Sequence, residues 1–274
     1  MLRVLVALTA AVLLSGCAGF IHTPAERIDA QAREAGFQPV TTVTGPLKAW
    51  LRTAPGAHMD APLTVYIEGD GAQWRGPYDP PNDPTPRNAL TLRLALRDPG
   101  ARVAYLGRPC QNLSTEALAQ CPRSFWVTAR YSDAAVSYLN SAIDVLALSA
   151  SASRVQLVGF SGGGAVALLL AARRADVECV VTLASPLDTN AWTSALDLTP
   201  LSRSLNPLDF AGRLRYVAQT HFSGADDKVV PTATLKEMIA MSPYARVEAF
   251  DGYDHECCWV LAWQALRKRT CLAR

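Results

Sequence analysis

Short apolar runs alternate with segments of helical periodicity along most of this chain, and that alternation limits the fold more than any other feature. Residues 63–67, 103–106, 155–158 and 177–183 read as strands, joined later by 214–222 and 246–250. Between them, 87–96, 132–148, 162–174, 232–242 and 256–267 read as helices, with a further short helix over 25–35. In the longest, Ala135, Leu139, Ala142, Ile143 and Leu146 recur at spacings of three and four, the signature of one buried helix face. Repeated strand and helix units predict an α/β protein with a mostly parallel central sheet and helices on both faces. The runs 41–44 and 47–52 add a pair of antiparallel edge strands. Residues 186–206, rich in Pro, Ser and Leu, interrupt the alternation and read either as a short cap over a pocket or as a surface excursion. No internal repeat or change of composition divides the rest, so 37–274 is expected to be one domain.

Half of the 274 residues are hydrophobic, and 26 Lys and Arg against 24 Asp and Glu leave a formal charge of +2. That composition argues against disorder, and it lacks the dense basic face that nucleic acid requires. Residues 1–16 read as a secretory signal: a cation at Arg3, an apolar run from Val4 to Leu14, then small residues before Cys17. The run is about half of the roughly 20 residues that span a bilayer. Leu14-Ser15-Gly16-Cys17 resembles a bacterial lipobox, which implies cleavage before Cys17 and lipid on that residue, with 17–36 as tether and N-terminal segment. Such a chain is lipid-anchored in the cell envelope. Ala18 in place of Asp after the cysteine implies, by resemblance, the outer membrane and a periplasmic orientation.

Six cysteines remain after Cys17, an even number suited to disulfides in an oxidising compartment. Cys110 and Cys121 bracket a short polar segment and are the favoured pair, and Cys257 or Cys258 is expected to reach Cys271. Neither a Cys-x-x-Cys nor a spaced His/Cys cluster is present, so no metal is expected.

Gly159-Phe160-Ser161-Gly162-Gly163 lies between a buried strand and an Ala/Leu helix, the context of a nucleophile elbow. A serine hydroxyl needs a base to take its proton and a carboxylate to orient that base. Of four histidines, His22 lies in the tether, His58 in a Pro/Gly loop and His221 inside a strand, which leaves His255 just past the last strand. The chain resembles the α/β-hydrolases, in which Ser, then Asp or Glu, then His follow in that order and the acid loop often reads Gly-x-x-Asp-x-x-Val-Pro. Aligned on that loop, Gly224 and Pro231 put the acid at Asp227, with Asp188 after the preceding strand as the alternative. The resemblance implies oxyanion donors at the amides of Gly162 and Asp70, the latter in Glu68-Gly69-Asp70-Gly71. A carboxylate beside an oxyanion is unfavourable unless Asp70 turns away or meets a cation such as Arg75 or Arg108.

The same resemblance implies a serine hydrolase that cleaves a small-molecule ester or thioester through an acyl-enzyme, without cofactor, with peptidase and lipase variants sharing the machinery. The alternative is a non-catalytic envelope lipoprotein that keeps the scaffold for binding. Glu68 to Gly71 with Trp74, Arg108-Pro109-Cys110 and Leu187 to Trp192 are similar to segments of a group of proteobacterial hydrolase-like proteins. Trp74, Trp126 and Trp192 are candidates for lining an acyl or aromatic pocket, with packing as the plainer role.

Overall fold

The computed structural model describes residues 23–41, 45–72, 74–76, 79–242 and 244–273, so the signal segment, His22 and Cys17 lie outside the described residues. Among the described residues eight strands form one sheet: β1 (Gln38–Val40), β2 (Ala49–Thr53), β3 (Leu63–Ile67), β4 (Arg102–Leu106), β5 (Val155–Phe160), β6 (Val177–Leu183), β7 (Ala218–Gly224) and β8 (Ala245–Phe250). Their order is β1-β2-β4-β3-β5-β6-β7-β8. All neighbours from β4 to β8 are parallel, and β1 and β2 add the antiparallel edge.

Among the described residues nine α-helices accompany them: α1 (Pro24–Glu34), α2 (Leu90–Ala95), α3 (Thr115–Ala119), α4 (Asp133–Ser149), α5 (Gly162–Ala171), α6 (Thr189–Ala195), α7 (Ala211–Leu214), α8 (Lys236–Met241) and α9 (Trp259–Arg267). The two-residue pleat sorts each strand between the two cores. Leu63, Val65 and Ile67 of β3 share one core with α4 and α5, while Tyr66 lies in the other with α1, α2 and α9. Every residue of α5 is buried, as its Gly/Ala/Leu sequence requires, whereas α4 turns only one stripe inward. Ile28 and Ala32 of α1 join the second core, so this N-terminal helix packs with the domain that follows it.

Several boundaries differ from expectation. The strand expected over 214–222 begins at Ala218, because Leu214 closes the helical turn α7 and accepts a hydrogen bond from Gln219 Nε2. A short apolar run is equally suited to a strand or a buried helical turn, and Leu214 packs in the first core from the latter. The first edge strand described is Gln38–Val40, and residues 42–44 of the strand expected at 41–44 lie outside the described residues. The last helix starts three residues late, since Asp254 Oδ1 takes the Glu256 and Cys257 amides into a turn before it.

Cys110 is bonded to Cys121, and Cys271 is bonded to Cys179 and not to Cys257 or Cys258, which are bonded to each other. The nine residues of α9 span about 14 Å, beyond the roughly 7 Å that a disulfide bridges. The turn after α9 instead brings Cys271 to β6, with 5.7 Å between the Cα atoms of Cys271 and Cys179.

His221 is fully buried in β7, with Nδ1 2.9 Å from Thr182 Oγ1 and no partner for Nε2 among the described residues. Burial disfavours the imidazolium and lowers the pKa from 6.5 to about 4. Below 6.5 the unfolded chain takes up a proton that the folded chain refuses, so stability falls as pH drops from 6.5 towards 4. The loss amounts to about 3 kcal/mol. Urea unfolding of His221→Phe is expected to show a correspondingly smaller difference between pH 7 and pH 4; an unaltered difference would assign the acid sensitivity to other groups.

Candidate active site

The loops after β3, β5, β7 and β8 all leave the carboxyl edge of the parallel sheet, and they carry Asp70, Ser161, Asp227 and His255. In open α/β sheets that edge is where the crevice forms. Ser161 sits on the turn between β5 and α5 at φ 52° and ψ −130°, left-handed backbone that a residue with a side chain rarely adopts. The turn is tight enough that a Cβ on Gly159 would lie 2.3 Å from the Gly163 carbonyl oxygen. The flanking glycines therefore permit the conformation that lifts Ser161 above the sheet.

His255 Nε2 is 3.1 Å from Ser161 Oγ, and its Nδ1 is 2.9 Å from Asp227 Oδ2. Asp227 is buried, and its other oxygen accepts the amides of Val229 and Val230, each at 2.8 Å. The carboxylate is thus held from behind and aimed at the imidazole. Phe160 lies 5.0 Å from the His255 ring by centroids, and Trp259 Nε1 donates to the His255 carbonyl, which fixes the backbone of this loop.

Gly162 opens α5, so its amide has no partner one turn back in the helix. A Cβ there would stand 2.0 Å from Asp70 Oδ1 and 2.5 Å from the Tyr131 hydroxyl. Asp70 therefore rests against the α carbon of Gly162. Its Oδ1 pairs with Arg108 at 3.2 Å, and its Oδ2 accepts from Arg130 at 2.9 Å and from the Tyr131 hydroxyl at 2.7 Å. Burial alone would raise the Asp70 pKa, but the Arg130 and Arg108 charges and the Tyr131 hydrogen bond outweigh it and hold the carboxyl below the usual range. Arg75 pairs with Asp79 instead. The negative charge next to the proposed oxyanion position is neutralised by two guanidinium groups.

Glu68 secures the base of the same loop. Its carboxylate accepts the Gly69 amide and the hydroxyls of Thr91 and Tyr105, and burial pushes its pKa up. The Cys110–Cys121 bridge packs with Trp126 beneath the segment that supplies Arg108 and Gln111. Gln111 Nε2 in turn donates to the Gly69 carbonyl at 3.0 Å.

Similarity to solved structures is extensive in shape and slight in sequence. Est1E from Butyrivibrio proteoclasticus matches at TM-score 0.59 and 13% identity, over 85% of this chain and 96% of that one. The Pyrococcus furiosus esterase Pf2001 matches at TM-score 0.60 and 14% identity, over 87% of this chain and 92% of that one. The fold is that of the α/β-hydrolases. An acylaminoacyl peptidase of Pyrococcus horikoshii also matches, at TM-score 0.55 and 13% identity, over 80% of this chain but 37% of its own length. No protein-family model and no curated protein matches the sequence.

Within this α/β-hydrolase fold the other candidates have separate work. Asp188 caps α6, its Oδ1 accepting the Asn190 and Ala191 amides and Asn206 Nδ2, which pins both ends of the 188–206 segment. His58 is exposed and Asp226 points to solvent. Trp126 and Trp192 are packing residues whose indole nitrogens donate to the carbonyls of Pro81 and Val229. Trp74 instead lines a cleft of about 680 Å³ between Gly71 and Glu256. Among the described residues no group of three or more His, Cys, Asp or Glu is placed to hold a metal ion. Arg130 and Tyr131 escaped the sequence reading, since no motif marks them and they meet Asp70 from 60 and 61 residues away.

Proposed function

We propose that this chain is a serine hydrolase cleaving carboxylic esters or thioesters through an acyl-enzyme. The observation that carries this reading is the hydrogen-bonded chain from Ser161 Oγ through His255 to Asp227 at the elbow after β5. Ser161 Oγ attacks the carbonyl carbon as its proton passes to His255 Nε2. Asp227 accepts from Nδ1–H, which keeps Nε2 free as the base and stabilises the imidazolium that forms. The amides of Asp70 and Gly162 receive the oxyanion. Collapse of the tetrahedral intermediate breaks the bond to the leaving group, which departs with the proton from His255. Water then repeats the sequence in reverse roles, releasing the acid and restoring Ser161. The esterases among the structural neighbours support the ester as substrate.

The same reading sets the enzyme in the bacterial envelope, exported by residues 1–16 and lipid-anchored at Cys17, at the outer membrane and facing the periplasm. The pairs Cys110–Cys121 and Cys179–Cys271 support an oxidising compartment.

A fluorophosphonate probe with mass-spectrometric mapping tests the chemistry. Wild type is expected to carry the label on Ser161, and neither Ser161→Ala nor His255→Ala is expected to be labelled there. Folded wild type that takes no label would overturn the acyl-enzyme and leave the scaffold as a binding module.

A further inference from the structure

We propose that the alcohol part of the ester cleaved at Ser161 is a saccharide, held in the cleft of about 680 Å³ beside the site, a proposal that rests on the serine-hydrolase reading above. The position of the cleft follows from its ends. Gly71 directly follows Asp70, and Glu256 directly follows His255. His255 must hand its proton to the leaving oxygen, so the alcohol departs on the imidazole's side, where Glu256 forms the wall.

The walls select the chemistry. Among the described lining residues there is no Val, Leu, Ile, Met or Phe. A fatty chain gains free energy on leaving water only against apolar surface. Here that surface comes from prolines, Ala72 and the Trp74 ring, with no aliphatic side chain longer than alanine's among the described lining residues. An anionic group finds no net attraction either, because Arg75 and Arg87 are balanced by Asp83 and Glu256 in the same lining, and Arg75 is already paired with Asp79. What remains is a set of neutral donors and acceptors around one aromatic ring.

Trp74 is 37% exposed, and the Arg130 guanidinium lies 5.9 Å from its ring centroid. Asn88 is oriented from both ends, accepting from Arg93 through Oδ1 and donating to Glu256 through Nδ2. Asn82 and Asp83 line the same cleft, and Pro81 and Pro86 stiffen the loop that presents them. A pyranose ring fits this combination: its C–H face packs on an indole, and its hydroxyls both donate to carboxylates and accept from amides and guanidinium groups.

The test compares acetate esters that differ only in the alcohol, using unlabelled full chain from a preparation in which a separate aliquot labels at Ser161: methyl glucoside acetylated on its primary hydroxyl against hexyl acetate. The kcat/KM for the glucoside is expected to be about a hundredfold higher. Trp74→Ala and Asn88→Ala are each expected to lower that ratio about tenfold. Hexyl acetate cleaved as fast by an enzyme that labels at Ser161, or a ratio unmoved in both variants, overturns the saccharide and leaves the serine hydrolase standing. Should Ser161 not label, the serine-hydrolase reading falls, and calorimetry with the acetylated glucoside judges the cleft alone. Binding weakened by Trp74→Ala supports a saccharide site, and no binding overturns it.

Discussion

Asp227→Asn is expected to slow acylation of Ser161 about ten-thousandfold while leaving the melting temperature close to that of wild type. The two effects separate because the two oxygens of Asp227 have different partners. Oδ1 accepts the Val229 and Val230 amides, and an asparagine carbonyl oxygen takes both as well. Oδ2 faces His255 Nδ1 at 2.9 Å, where the asparagine amide would present donors to a ring nitrogen that must then accept. The imidazole proton moves to Nε2. That nitrogen is 3.1 Å from Ser161 Oγ and no longer takes the serine proton. Second-order labelling by the fluorophosphonate probe, with thermal melting alongside, measures both quantities. A variant that labels within tenfold of wild type would remove Asp227 from the mechanism.

Loss of the Cys179–Cys271 bridge is the largest stability change expected, at about 5 kcal/mol when both cysteines become alanine. The bridge closes a loop with a sequence separation of 92 and so restricts the unfolded chain more than Cys110–Cys121, whose separation is 11. Removing the shorter bridge is expected to cost about 3 kcal/mol. Domains commonly hold about 5 to 15 kcal/mol in total, so the first loss brings the fold near its limit. The shorter bridge underlies Arg108 and Gln111, so its removal is also expected to depress activity, which the longer one should spare. Urea unfolding of the two double variants gives the order. A smaller loss for Cys179 and Cys271 than for Cys110 and Cys121 would contradict the chain-entropy account.

Much of the site was legible locally. The elbow is a contiguous pentapeptide whose first glycine is demanded by a contact within the same turn, and the short apolar runs reproduce β3 and β6 residue for residue. His255 was legible by elimination among the histidines and Asp227 through the resemblance of its loop, and parallel strands then deliver the loops after β7 and β8 to one edge, whatever their spacing. Boundaries failed where an apolar residue serves a helical turn as well as a strand, as Leu214 does, or where a side chain diverts the backbone, as Asp254 does before α9.

By itself the sequence determined an α/β sheet, because that depends on the alternation of local patterns. It pointed to Ser161 and His255 as candidates through local context and chain order, and to Asp227 through the resemblance of its loop. Only the tertiary structure decided what surrounds them. That Asp70 rests on Gly162 between Arg108, Arg130 and Tyr131 depends on the β4-β3-β5 sheet order. The same holds for Cys271 choosing Cys179, which follows from where α9 sets the chain down against β6. Such contacts join residues tens of positions apart, and their energies are set by burial and distance, which no local pattern of residues encodes.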